Sequence, residues 1–353
     1  MTIEDPSAGT ATRSATVEQR VRQHPERFRM LTGDRPTGPL HLGHYLGTLA
    51  NRVRLQRTGV EVFLVIADYQ VITDRDSVGD LSGAVREVVL DYLAAGIDPT
   101  LATIFTHSAV PALNQLLLPF LSLVTVAELR RNPTVKAEAE ASRGRGLSGL
   151  LFTYPVHQAA DILFCHGNLV PVGQDQLPHV ETTRLIARRF NERYAAGTTI
   201  FREPDALLSA APVLLGTDGA KMSKSRDNAI ALCDDEDRTA ALLRRAKTDS
   251  QRTITYDPEH RPEVASLLLT AALCTGRDPV EIADELSDRG AAALKALVTE
   301  AVNEHLRPLR QRRRELATDP SYLHQVLDQG NTRANHIAEH TLQRVREVMD
   351  MAY

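Results

Sequence analysis

The chain has 353 residues, of which 42% are hydrophobic and 24% charged, with a formal net charge of −4. That length suffices for a large core shared between two units, and the acidic balance excludes a uniformly basic nucleic-acid coat while leaving room for a local basic face. Three dispersed cysteines (Cys165, Cys233, Cys274) supply neither a disulfide framework nor a zinc spacing.

The opening "MTIEDPSAGTATRSATVEQR" places acidic and small polar residues ahead of any apolar run, so it does not read as a secretory signal. No stretch approaches the apolar length of a membrane span, and a cytoplasmic setting is expected. Residues 1–14 have the composition of a disordered leader, with a short helix after it, so 1–26 is predicted as a flexible N-terminal arm. The first buried strand is predicted over Phe28–Thr32. A Gly/Pro-rich loop, "LTGDRPTGPLHLGHYLG", follows, then a helix from Gly43 to Arg57.

"EVFLVIAD" (61–68) is a continuous apolar run, as a parallel strand buried on both faces requires. "DLSGAVREVVLDYLAAG" has helical periodicity and stops at Gly96. "TLATIFTHS" reads as the next strand, "ALNQLLLPFLSLV" and "FTYPVHQAADILFCHG" as helices, and "LVPVG" as a short strand before a charged helix from Gln174 to Tyr194. The alternation predicts an α/β fold, a doubly wound parallel sheet of Rossmann-like type. After Asp234 every periodic segment is helical. The expected organisation is an α/β unit over 27–232 and an α-helical unit over 233–353.

Two segments carry chemistry. In "PLHLGH", His41 and His44 stand one helical turn apart at a strand-to-helix junction, where unpaired amides and the helix dipole favour an anion. The pattern is neither GxxxxGK[ST] nor GxGxxG. In "GAKMSKS", Lys221 and Lys224 sit in a polar loop able to close on a triphosphate.

"PLHLGH" followed by "KMSKS" resembles the class I aminoacyl-tRNA synthetases, and "TGDRPTGPLHLGHYLG", "AGIDPT", "YPVHQAADIL" and "LVPVGQDQ" resemble the tryptophan branch. The resemblance implies ATP with Mg²⁺, tryptophan and tRNA as the reacting partners. It implies catalytic roles for His41, His44, Lys221 and Lys224, and for Lys136 in "RRNPTVKAEAE". Around ATP it places Arg35, Pro36, Thr37, Gly43 and Gly173, with Asp175 and Gln176 near the ribose and Met222 and Ser223 in the second loop. Around the amino acid it places Leu31, Gly33, Gln70, Tyr154, Gln158 and Val172, with Gln176 again adjacent; Asp161 accepts the indole N–H.

Several positions depart from the usual pattern: Leu31, Arg35, Gln70 in "ADYQVIT", and Gln158. Tyr154, Gln158 and Asp161 also match the tyrosine branch, which stays open as the alternative beside a non-catalytic paralog. The departures resemble those of an auxiliary tryptophan enzyme tolerant of indole-based inhibitors such as indolmycin. A stripe of Arg307, Arg310 and Arg313 is the expected tRNA contact, and the resemblance implies a homodimer.

Overall fold

Five strands form one parallel sheet in the order β3-β2-β1-β4-β5. They are β1 (Arg29–Asp34), β2 (Glu61–Ile66), β3 (Ala102–Thr106), β4 (Leu169–Val172) and β5 (Asp205–Leu208). This computed structural model describes residues 6–73, 78–141, 147–173, 176–208 and 214–353. The doubly wound sheet expected from the alternation is present. β1 runs in register with β2 from Arg29 opposite Glu61 to Asp34 opposite Ile66, but meets β4 only at Met30 and Leu169. The carboxyl ends of β1 and β4 therefore part at the point where strand order reverses, and an open α/β sheet binds ligands in that crevice.

For residues 6–14, helix α1 (Pro6–Gln23) corrects the expectation of a disordered leader; residues 1–5 lie outside the described residues. Val17 and Val21 are buried, Arg20 pairs with Asp205 at 3.0 Å, and the Leu208 amide donates to Ser14 Oγ at 2.9 Å. The segment thus seals the β5 edge, and β5 itself is a four-residue strand with no apolar run long enough to announce it. The helix expected over 43–57 is α2 (Leu42–His44), a π turn (Tyr45–Leu49) and α3 (Ala50–Arg57). α4 (Leu81–Ala95) ends at Gly96 with φ 107°, the left-handed stop its glycine permits.

The apolar segment after β3 breaks into α5 (Pro111–Gln115) and α6 (Leu117–Leu121), followed by α7 (Val126–Arg131) and α8 (Pro133–Ala141). α9 (Gly149–Phe164) leads into β4 and α10 (Leu177–Arg193) into β5. Beyond the second basic loop come α11 (Glu236–Arg244), α12 (Pro262–Thr275), α13 (Pro279–Leu286), α14 (Gly290–Ala317) and α15 (Pro320–Val348).

The helical region is not a separate body. One apolar core runs from Leu64 of β2 to Leu294 and Val298 of α14. α15 returns to cover the exposed edge at β3: a side chain at Gly330 would fall 1.8 Å from the Ile104 carbonyl, so only glycine allows the approach. Asn331 Oδ1 accepts from the Thr106 amide at 3.1 Å, satisfying an edge donor. The expected division at 232/233 separates types of element rather than cores. Among the described residues, no helix is long and apolar enough to cross a membrane.

Candidate nucleotide and amino-acid site

A cavity of about 570 Å³ opens at the crevice between β1 and β4. It gathers Leu31, Gly33 and Arg35 from β1 and its loop, His41, Gly43 and His44 from the following turn, and Gln70 after β2. Tyr154, Gln158 and Asp161 enter from one face of α9, Val172, Gly173 and Gln176 from the end of β4, and Lys221 and Met222 from the second basic loop. Gly33 has a reason beyond the cavity: a Cβ there would lie 2.0 Å from the Val65 carbonyl, so β2 excludes any larger residue.

His41 caps α2 in a reciprocal pair with His44. The His44 amide donates to His41 Nδ1 and the His41 amide to His44 Nδ1, each at 3.3 Å, with the rings stacked at 3.6 Å. Both Nδ1 atoms accept, so each neutral ring carries its proton on Nε2. Burial, the neighbouring imidazole and Lys224 push His41 down to about 3. Burial dominates at His44 as well, against the pull of Asp34, and brings it to about 4. Near neutral pH the pair is therefore two uncharged N–H donors.

The second basic loop docks on the first. The Leu42 amide donates to Ile230 O and the Leu232 amide to Leu40 O, each at 2.8 Å. Lys224 Nζ donates to Gly38 O at 2.7 Å and reaches Thr37 Oγ1 at 3.4 Å. Thr37 and Lys224 thus meet where the two loops touch, but neither they nor Pro36 and Ser223 line the cavity, which takes Lys221 and Met222 from the second loop. Asn228, which the sequence reading missed, is buried and braces the loop: its Oδ1 accepts from the Ser223 amide at 2.7 Å and its Nδ2 donates to Asp218 at 2.7 Å.

A buried polar group supports this turn. Arg52 of α3 meets Asp34 Oδ2 at 2.5 Å, and the Tyr92 hydroxyl of α4 donates to the same oxygen at 2.7 Å. Burial alone would raise the Asp34 carboxyl; Arg52, His44 and the Tyr92 hydroxyl together outweigh it and hold Asp34 well below the usual carboxylate range. Both Asp34 and Arg52 line the cavity, and neither was singled out from the sequence.

The deep end is different in character. Asp161 is 2% exposed, and its Oδ1 has no aligned hydrogen-bond donor among the described residues. Tyr154 is buried beside it, with its hydroxyl 3.2 Å from His179 Nε2. His107, at the end of β3, places Nε2 2.9 Å from Asp161 Oδ1. His107, His157 and His179 were missed; the available signal was a polar residue at the carboxyl end of a buried strand or on the apolar face of a helix.

With this geometry in place, sequence comparison names a family. The family model described as tRNA synthetases class I (W and Y) matches residues 23–307. The chain belongs to this family. A tryptophan--tRNA ligase of Treponema pallidum is 43% identical over 332 residues, covering 92% of this chain and 97% of the relative. One from Clostridium longisporum is 39% identical over 333 residues, with the same coverage. The solved tryptophanyl-tRNA synthetase of Campylobacter jejuni, complexed with ADP and tryptophane, superimposes with a TM-score of 0.78 at 30% identity, covering 92% of this chain and all of that one.

Other expected site positions of this class I synthetase fall elsewhere. Asp175 lies outside the described residues. Lys136 is exposed on α8 and does not line the cavity, although Thr134 of the same helix does. The arginine stripe is corrected. Arg310 is buried, donating to Thr239 Oγ1 at 2.7 Å and Asn303 Oδ1 at 2.8 Å. Arg313 turns inward to α4, meeting Asp91 at 2.8 Å and Glu87. Helical spacing put these residues on one stripe, but α14 packs that stripe against α4 and α11. Of the three, Arg307 alone is exposed.

Proposed function

We propose that this chain is a tryptophan--tRNA ligase, activating L-tryptophan with ATP and passing the aminoacyl group to tRNA(Trp). The observation that carries the reading is a single cavity bounded at its rim by His41, His44 and Lys221 and at its depth by the buried acceptor Asp161. The rim is suited to a triphosphate and the depth to a substrate with one N–H donor and no acceptor, which is indole.

In the first step a tryptophan carboxylate oxygen attacks the α-phosphorus of ATP, and the bond to the bridging oxygen of pyrophosphate breaks. The protein positions the groups and offsets the charge that develops. The Nε2–H groups of His41 and His44 donate to phosphate oxygens, while Lys221 and Lys224 neutralise the departing pyrophosphate. In the second step the tRNA ribose hydroxyl displaces AMP from the carbonyl carbon. Mg²⁺ travels with the nucleotide. The described carboxylates lining the cavity are Asp34, committed to Arg52 and Tyr92, and Asp161 at the deep end, so the described residues form no cage for it.

The chain is further proposed to act as a homodimer and, through Gln70 in the cavity wall, to tolerate indole-based inhibitors. The test of the main reading is ATP–pyrophosphate exchange with tryptophan and tyrosine in parallel, followed by charging of tRNA(Trp). Exchange driven by tryptophan supports it. Exchange driven by tyrosine alone, or by no amino acid, overturns it.

A further inference from the structure

We propose that His107 is the positioning residue for Asp161, anchoring its carboxylate from behind the cavity wall so that the group faces the indole N–H. The inference rests on the tryptophan reading above and adds what orients the acceptor. His107 is fully buried and does not itself line the cavity. The two side chains are 0% and 3% exposed, with Nε2 2.9 Å from Oδ1.

The contact is one of charge more than of a straight hydrogen bond, since neither His107 nitrogen nor Asp161 Oδ1 has an aligned partner among the described residues. A buried carboxylate needs both a countercharge and donors to remain ionised. His107 supplies the first, and the substrate N–H supplies the second. Without the imidazole the Asp161 carboxylate loses the neighbour 2.9 Å away that fixes its direction, and the substrate N–H meets an acceptor no longer held in place.

The surroundings hold His107 to this task. Asn114 donates through Nδ2 to the His107 carbonyl at 2.8 Å and to Val110 O at 3.0 Å, fixing the backbone. That orientation turns Asn114 Oδ1 to His157 Nε2 at 2.7 Å, so His157 donates there and that nitrogen is already occupied. Burial lowers the pKa of His157 and keeps it neutral. Asp68, held by the amides of Tyr69 and Ser108, is the second carboxylate acting on His107. Burial alone would lower the His107 pKa; Asp161 and then Asp68 outweigh it and push it up.

The experiment compares the full-length chain with His107→Leu and His107→Gln in ATP–pyrophosphate exchange. The substrates are tryptophan and its benzothienyl-alanine isostere, which lacks the N–H. His107→Leu is expected to raise KM for tryptophan by about tenfold or more with kcat little changed, while KM for the isostere stays within about twofold. His107→Gln, which keeps a donor, is expected to recover part of the preference. Equal losses for both substrates, or an unchanged preference, overturn the inference while leaving the tryptophan reading intact. Exchange driven by tyrosine and not tryptophan in the unmodified chain overturns that reading, and this inference with it.

Discussion

Lys224 donates its ammonium proton to the carbonyl of Gly38 at 2.7 Å, joining the loop that brings Lys221 and Met222 to the cavity with the loop that brings Arg35 and His41. A neutral carbonyl is a weaker partner for an ammonium than a phosphate oxygen, so an arriving triphosphate can take this lysine without moving the loop far. Lys224→Ala is expected to lower kcat of tryptophan-dependent exchange by about 10²-fold or more. KM for tryptophan should stay within about threefold, because the amino acid binds at the other end. An unchanged kcat in steady-state exchange would contradict this role.

The two signature imidazoles should be neutral and tautomerically fixed. Nitrogen-correlated NMR of the histidine side chains at pH 7 is expected to show both as Nε2–H forms, and they should titrate only toward about 4 for His44 and about 3 for His41. The unfolded chain takes up these protons from the ordinary value of 6.5 downward, whereas the folded chain does not. Stability is therefore fully present above pH 6.5 and falls as pH drops through that window. Denaturant unfolding from pH 7 to 4 checks it, and replacing both residues by glutamine should flatten the slope.

Arg313 ties α14 to the first loop through Asp91, whose Oδ2 accepts from the Leu40 amide at 2.6 Å, one residue before His41. Asp91 is fully buried, so Arg313→Leu leaves its charge without its main partner and is expected to cost about 3 kcal/mol in urea unfolding. Arg307→Ala, at an exposed position, should stay within about 0.5 kcal/mol. Similar values for both would contradict the assignment of Arg313 to the interior.

The sheet was readable because β2 and β3 are apolar runs buried on both faces, and the two basic segments because their residues act locally, within a turn or loop. What escaped the sequence depends on contacts between distant segments. His107 and Asp161 are brought together by the sheet and α9, and Asp34 and Arg52 by the return of α3. Arg310 and Arg313 share a helical stripe whether it faces water or α4, and periodicity has no term for which. Residues 1–14 read as disordered by composition, yet from Pro6 onward they belong to α1, which Ser14 and Arg20 fasten to β5, a partner invisible until the strand order is known.

Gln70 is half-buried in the cavity wall. Gln70→His restores the residue more usual there and is expected to lower the concentration of indolmycin that halves tryptophan-dependent exchange by about tenfold, an effect of one polar contact. Unaltered inhibition in the variant would overturn the proposed tolerance through Gln70.

The central claim is that the two basic loops act on one nucleotide, and a double-mutant cycle tests it most directly. kcat for tryptophan-dependent ATP–pyrophosphate exchange is measured for the unmodified chain, His44→Ala, Lys224→Ala and the double variant. Shared action predicts that the double variant loses less than the product of the single losses, with a coupling of about 1 kcal/mol or more. Losses that multiply without coupling would mean that the loops work on separate events, and would contradict the account.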